Sequence, residues 1–254
     1  MQKNTSYKCL NIVLCLAGNG QRFLDKGYKI PKFLLEDRYN NSNILDLIIE
    51  NLAMSGIQNF FLVLNIKHQK WEYKIKKSLL KFQNLNINYF FIEGTSGQAE
   101  TAYKAIQLMN KKKLINQFDP IGFHNGDTIL FNRNFDSIIK KLSQDFDGAI
   151  DTFPAMSDAY SYIRTTEDGV VREIKEKSVI SLMATTGLYI FKNYKIFMES
   201  YDKTIFLSNE KYISAIYQTM IEHELKVINL HNKNQDDTLI LGTPAEYEHW
   251  IKNG

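Results

Sequence analysis

The chain is poor in cysteine, with two in 254 residues. Cys9 and Cys15 stand six positions apart, which on one extended strand separates them by roughly 20 Å. They cannot pair with each other within the chain, so reduced, buried thiols and a cytoplasmic location are expected. No stretch approaches the roughly 18 consecutive apolar residues that span a bilayer, so no membrane insertion is expected. The apolar stretch 9–17 after Lys3 and Lys8 has some of the outline of a signal peptide. Asn11 interrupts it, however, and the residues that follow carry the strongest chemical motif in the chain. An excess of one charge is missing too. The 31 Lys and Arg against 28 Asp and Glu leave a formal net charge of +3. With only Lys111-Lys112-Lys113 as a basic run, there is no electrostatic case for nucleic acid as a partner. Internal repeats, low-complexity tracts and long linkers are absent. His68, His124, His223, His231 and His249 show no metal-ligand spacing and read as packed or solvated, and Trp71 and Trp250 read as packing residues. No Ser-His-Asp or Cys-His arrangement stands out.

What is present is an alternation of short apolar runs with amphipathic segments. The runs at 10–16, 59–64, 87–92 and 121–124 read as strands. The patterns at 44–55, 71–82 and 98–109 read as helices. This is the signature of βαβ units and a mostly parallel sheet, an α/β fold with helices on the sheet faces. Further on, strands are expected at 148–153, 160–166, 170–175, 184–191 and 226–230. Glu167-Asp168-Gly169 makes a hairpin turn. Helices are expected at 210–223 and after Pro244, over 246–251.

Ligands of such sheets sit beyond the carboxyl ends of the strands, which draws attention to three loops. The first reads Leu16-Ala17-Gly18-Asn19-Gly20-Gln21-Arg22, then Pro31-Lys32. Two glycines let the backbone approach a polyanion, and Arg22 and Lys32 add cationic donors. The dinucleotide fingerprint would need a third glycine at position 23, where Phe stands, and the Walker pattern is absent. The second loop, Glu93-Gly94-Thr95-Ser96-Gly97-Gln98, offers hydroxyls and an amide suited to a nucleobase edge; capping of the following helix is the alternative. The third loop, Asn125-Gly126-Asp127, ends a strand in a carboxylate suited to Mg²⁺ or to capping a following helix. Ile at position 129 breaks the Asp-x-Asp pattern of glycosyltransferases.

Leu16-Ala17-Gly18-x-Gly20-x-Arg22 followed by Pro31-Lys32 resembles the signature of nucleotide-sugar pyrophosphorylases and related cytidylyltransferases, and the likeness runs from about Leu10 to Trp250. It implies a Rossmann-like, GT-A-like central sheet with a small β-rich acceptor lobe, in one domain over 1–254. Donor binding is expected over about 1–150 and acceptor binding over about 151–254. Arg22 and Lys32 are then the catalytic, triphosphate-neutralising residues. Leu16, Ala17, Gly18, Asn19, Gly20, Gly94, Thr95, Ser96 and Gln98 bind the nucleotide, and Asp127 binds Mg²⁺, for which Mn²⁺ can substitute. Glu176-Lys177 and Ala184-Thr-Thr-Gly187-Leu-Tyr resemble the acceptor-facing segments, with Arg172 a further candidate there. Ser178 replaces the proline that commonly follows the Glu-Lys pair. Leu241-Gly242-Thr243-Pro244 resembles the late family segment, but its usual second metal-binding aspartate is Ile240 here, and Asp236 or Asp237 is the substitute to test.

The partners implied are a nucleoside triphosphate and a phosphorylated small molecule, and a homo-oligomer is compatible with the chain. Gly27-Tyr28-x-x-Pro31-Lys32, Gly94-Thr-Ser-Gly-Gln98 and the lost late aspartate bring the chain nearest the CTP:phosphoglutamine cytidylyltransferases of bacterial capsule phosphoramidate synthesis. The alternatives are a sugar-1-phosphate nucleotidyltransferase and a non-catalytic nucleotide-binding regulator.

Overall fold

The computed structural model of the protein describes residues 9–39 and 41–253; Lys3 and Lys8 lie outside them. Strand β1 (Asn11–Leu16) is the apolar run that opens the chain. Ile12, Leu14 and Leu16 enter one core layer, Val13 and Ala17 the other. That alternation belongs to a strand buried on both faces. A short helix α1 (Gln21–Asp25) follows, then α2 (Ile44–Met54), β2 (Asn59–Asn65), α3 (Glu72–Leu79), β3 (Asn86–Ile92), α4 (Gln98–Lys111) and β4 (Ile121–Asn125). A capping box starts α2: the Asn43 side chain accepts from the Asp46 N–H, and Asp46 accepts from the Asn43 N–H. Next come β5 (Thr128–Leu130), α5 (Phe135–Gln144), β6 (Gly148–Pro154), β7 (Tyr162–Thr165), β8 (Val171–Lys175) and β9 (Met183–Phe191). The chain continues through α6 (Tyr194–Lys203), α7 (Ile213–Glu222), β10 (Val227–His231), β11 (Thr238–Ile240) and α8 (Pro244–Asn253).

The main sheet runs β10-β6-β9-β4-β1-β2-β3, with β9 antiparallel to β4 and β6 and the other pairs parallel. It is the mixed, mostly parallel α/β sheet that the alternating pattern implies. Helices α2 and α5 cover one face, and α4, α6 and α7 the other. Each fully buried Leu, Ile or Phe contributes about 1.5–3 kcal/mol, so these two layers rather than the loops hold the sheet. The β7–β8 hairpin hangs on β9 at Tyr162, and β5 pairs with β11 in a separate antiparallel ribbon.

Most strands fall within two residues of their expected positions. The helix expected at 71–82 is instead a 3-10 turn (Ile66–Trp71), α3 and a second 3-10 turn (Leu80–Phe82). Helices α5 and α6 were not among the expected elements, although Phe135, Ile138 and Leu142 form a buried stripe at helical spacing. The helix expected from 210 begins at Ile213. Of the two thiols, Cys15 is half-buried but Cys9 is exposed, because β1 enters the core only beyond it. No helix among the described residues is long and apolar enough to cross a membrane.

Candidate active site

The carboxyl ends of β1, β3 and β4 open into a cleft of about 600 Å³ lined by Gly18, Gly20, Arg22, Lys32, Gln98 and Asp127, among others. All three loops that the sequence draws attention to therefore meet in one place. Gly20 takes a left-handed conformation (φ 65°) as the cap of α1, a backbone that favours glycine. Arg22 is exposed on α1 and faces the cleft. Lys32 is anchored by its neighbours Phe33 and Leu34, both buried, and its ammonium pairs with Asp127 Oδ2. Leu16 and Ala17 lie beneath the loop, buried, and Ala17 accepts a hydrogen bond from Asn65 Nδ2 at 3.0 Å.

Asp127 leads into strand β5, so it caps no helix. Burial pushes its carboxyl up, but the Lys32 ammonium, by charge and by hydrogen bond, and the Thr128 hydroxyl outweigh that, and its pKa lies below the usual carboxylate value. The carboxylate is therefore kept ionised. His124 is fully buried and its ring stays neutral, since burial lowers its pKa to about 4.

In the second loop the hydroxyls are engaged locally. Ser96 donates to Glu100 from both N–H (2.8 Å) and Oγ (2.6 Å), and Thr95 Oγ1 is 2.6 Å from Thr101 Oγ1. Gly94 is exposed beside Asn65 and Asn19. Gln98 donates to the Gly187 carbonyl at 3.2 Å. The Lys211 N–H donates to Ser96 O (2.8 Å), and Ala99 N–H donates to Lys211 O (3.0 Å). A Cβ on Gly97 would overlap that Lys211 carbonyl. This clasp explains why α7 starts late: 209–212 is spent on the cleft wall.

A second cleft of about 230 Å³ adjoins the first and shares Arg22, Gln98, Asn125, Asp127, Glu210 and Gly242 with it. Its own lining includes Tyr160, Glu176, Lys177, Tyr189, Tyr212 and Glu246. Glu176 is held by the Ser161 hydroxyl and by Ser214 Oγ at 2.7 Å. Lys177, itself in a left-handed conformation (φ 51°), donates to Tyr212 OH at 2.6 Å with Glu210 3.8 Å away. Gly187 (φ 85°) leaves room for the Asn125 amide, which any Cβ would overlap.

Of the expected residues, Leu16, Ala17 and Gly94 support the loops without lining either cleft, and Arg172 and Asp237 lie away from them altogether. Arg172 is exposed on β8 and lines neither cleft. Asp237 precedes β11, where Thr238 pairs with Leu130, and its carboxylate accepts from Asn132 (2.7 Å) and Asn232 (3.3 Å). It lines neither cleft. Asn125, Glu210, Tyr212 and Glu246 were not singled out from sequence, because none belongs to a recognisable spacing.

A family model described as nucleotidyl transferase matches residues 11–250. The chain belongs to that family. No curated protein sequence matches it. Among solved structures it is similar to a nucleoside-diphosphate-sugar pyrophosphorylase from Vibrio cholerae RC9, with TM-score 0.84 and 23% identity over 95% of this chain and 100% of the other. It is also similar to a protein from Bacillus anthracis described as a glucose-1-phosphate thymidylyltransferase, solved with a sucrose. There the TM-score is 0.76 with 16% identity, over 96% and 94% of the two chains. At these identities the structural likeness establishes the fold, and the family match makes the protein an enzyme of nucleotidyl transfer.

Nucleotidyl transferases of this family typically use divalent ions such as Mg²⁺. Among the described residues no three His, Cys, Asp or Glu side chains cluster to hold one by themselves. Mg²⁺, however, usually takes one or two carboxylates and completes its shell with substrate phosphates and water. The donor set suits that mode. A Cβ on Gly242 would stand 3.3 Å from Asp127 Oδ2 and 3.7 Å from Glu246 Oε2. The missing side chain thus leaves a small oxygen-lined space between the two carboxylates.

Proposed function

We propose that this nucleotidyl transferase transfers CMP from CTP to L-glutamine phosphate and releases pyrophosphate, as a step in modifying capsular polysaccharide. The observation that carries the reading is the charge layout of the second cleft, where Glu176 and Glu210 stand beside Lys177 and Arg22. An amino-acid acceptor with one ammonium and one carboxylate needs such opposed charges within one pocket. The sequence likeness at 27–32 and 94–98 and the lost aspartate at 240 point the same way.

In this reading the acceptor phosphate, largely ionised at neutral pH, attacks the α-phosphorus directly. The new P–O bond forms as the α–β anhydride bond breaks, and the electron pair leaves with pyrophosphate. No side-chain nucleophile is needed; positioning and charge neutralisation are. The 18–20 backbone N–H groups, Arg22 and Lys32 hold and neutralise the triphosphate. Asp127, with Glu246 close by, would hold Mg²⁺, which supplies charge neutralisation on the phosphates. Gln98 and the 94–97 backbone read the base, since the Thr95 and Ser96 hydroxyls are already engaged. A backbone carbonyl facing the exocyclic amine of cytosine would reject uracil. Glu176 and Lys177 orient the acceptor.

A second reading is favoured by the two structural neighbours, whose descriptions name sugar-nucleotide chemistry: a sugar-1-phosphate nucleotidyltransferase with the same donor machinery. Pyrophosphate release is measured with each triphosphate against L-glutamine phosphate and glucose 1-phosphate. CTP with L-glutamine phosphate is expected to give the highest kcat/KM. A preference for UTP or dTTP with the hexose phosphate moves the protein to the sugar branch, and no release with any pair leaves a nucleotide-binding regulator.

A further inference from the structure

Behind the phosphate loop lies another cavity of about 260 Å³, between that loop, the segment 29–33 and the 3-10 turn after β2. Lys29, Lys32, Lys67 and Lys70 line it, and no Asp or Glu is among its described lining residues. Among the described residues, only Lys32 of the four has a carboxylate partner. His68 also lines it, with Nδ1 buried and lacking any hydrogen-bond partner. The His68 ring is kept neutral by burial first and then by the charges of Lys70 and Lys67, which lower its pKa to about 4. Phe23, Phe33 and Trp71 supply an apolar floor. Lys29, Lys67 and Lys70 are exposed around the cavity without a carboxylate partner among the described residues, and phosphate oxygens would pair with them.

We propose that this cavity binds a polyphosphate anion in addition to the donor triphosphate. The phosphates pair with Lys29, Lys67 and Lys70. The site is coupled to the donor cleft by shared walls: Gly18, Asn19, Gly20 and Lys32 border both. Asn65 strengthens the link, accepting from Lys67 N–H at 3.0 Å while donating to Ala17 O. Occupancy draws on Lys32, the cation that otherwise pairs with Asp127, and so slows turnover. That regulatory consequence rests on the donor-site reading; the binding does not.

The test is calorimetric titration of the full chain, without acceptor, with inorganic pyrophosphate and separately with CTP. The wild type is expected to bind two equivalents of at least one of them. The double variant Lys67→Gln/Lys70→Gln, whose changes lie on exposed side chains, is expected to bind one, with the second weakened about tenfold or more, as for one lost charge-assisted hydrogen bond. Arg22→Ala is expected to keep the new site. Whether pyrophosphate or CTP fills it distinguishes a product from a nucleotide as the source. In turnover the double variant keeps its basal rate but loses the part of pyrophosphate inhibition that excess triphosphate does not relieve. A single equivalent of both ligands in the wild type overturns the inference, as do two unaltered equivalents in the double variant. Failure of Arg22→Ala to disturb the other equivalent would count against the donor site alone.

Discussion

Lys32, Arg22 and Asp127 sit where three chain segments meet, and none of them is needed to fill the core. Arg22 is exposed, and Lys32 is fixed through its neighbours Phe33 and Leu34 rather than by its own burial. Replacing either cation by Ala is therefore expected to lower steady-state pyrophosphate release by about two orders of magnitude, with the melting temperature nearly unchanged for Arg22→Ala. Near-normal turnover in both variants would refute their assignment to the triphosphate. Asp127→Asn exchanges a hard anionic ligand for a neutral amide and leaves Lys32 without its counter-charge. Its activity is expected to fall to the level of wild type in EDTA, and in the wild type Mg²⁺ or Mn²⁺ should restore what EDTA removes. Full activity in EDTA would remove the metal from the scheme.

At the level of elements, the site depends on a clasp between the start of α4 and the segment before α7. Gly97 has φ 146° and touches the Lys211 backbone. Gly97→Ala must strain the loop or push 209–212 away, so KM for the triphosphate should rise at least several-fold while the chain still folds. An unchanged KM would show that the clasp is irrelevant to binding. The same loop carries a pH signature. The two donors of Ser96, its hydroxyl and then its N–H, lower the Glu100 pKa from 4.5 to about 2, with Lys104 assisting. The folded pKa is depressed, so this contribution is full above about pH 4.5 and is lost as pH falls toward 2. Hydrogen bonds to a charged group are worth about 1.5–3 kcal/mol. Acid titration of wild type and Glu100→Gln, followed by unfolding free energy, should show the difference between them shrinking across that window. A difference independent of pH would refute it.

Across the whole molecule, the main sheet and the β5–β11 ribbon are joined by one buried ion pair. Arg133 (6% exposed) binds Asp151 (2%) on β6. It also donates to the carbonyls of Phe131 and Asp237, both at 2.7 Å, and to Thr238 Oγ1 at 2.9 Å. Thr186 on β9 donates to the same Asp151 carboxylate. Removing one partner strands a buried charge, so Arg133→Ala or Asp151→Ala is expected to cost about 3–5 kcal/mol. Denaturant unfolding would measure it. A loss below 1 kcal/mol would mean that the ribbon is held by other contacts.

Strand and helix periodicity, the glycines of the first loop and the carboxylate closing the third were legible because they rest on local rules: alternation, the conformational freedom of glycine, the chemistry of strand ends. The α/β sheet and the meeting of 16–22, 94–98 and Asp127 at its carboxyl edge followed from them. Asp237 and Arg172 were chosen by nearness in sequence and residue type. Pairing of Thr238 with Leu130 and the outward face of β8 put both elsewhere, because strand register and face are set by packing partners many residues away. Glu246 accepts from the Thr243 N–H and hydroxyl at the start of α8, a local contact that says nothing of the cleft. The bare backbone of Gly242 leaves the Glu246 carboxylate and that of Asp127 facing one small space. Glu210, Tyr212 and the lysine-lined cavity behind the first loop likewise exist only once the chain has closed. Local sequence determines which groups can do chemistry, whereas long-range packing decides which of them face one another.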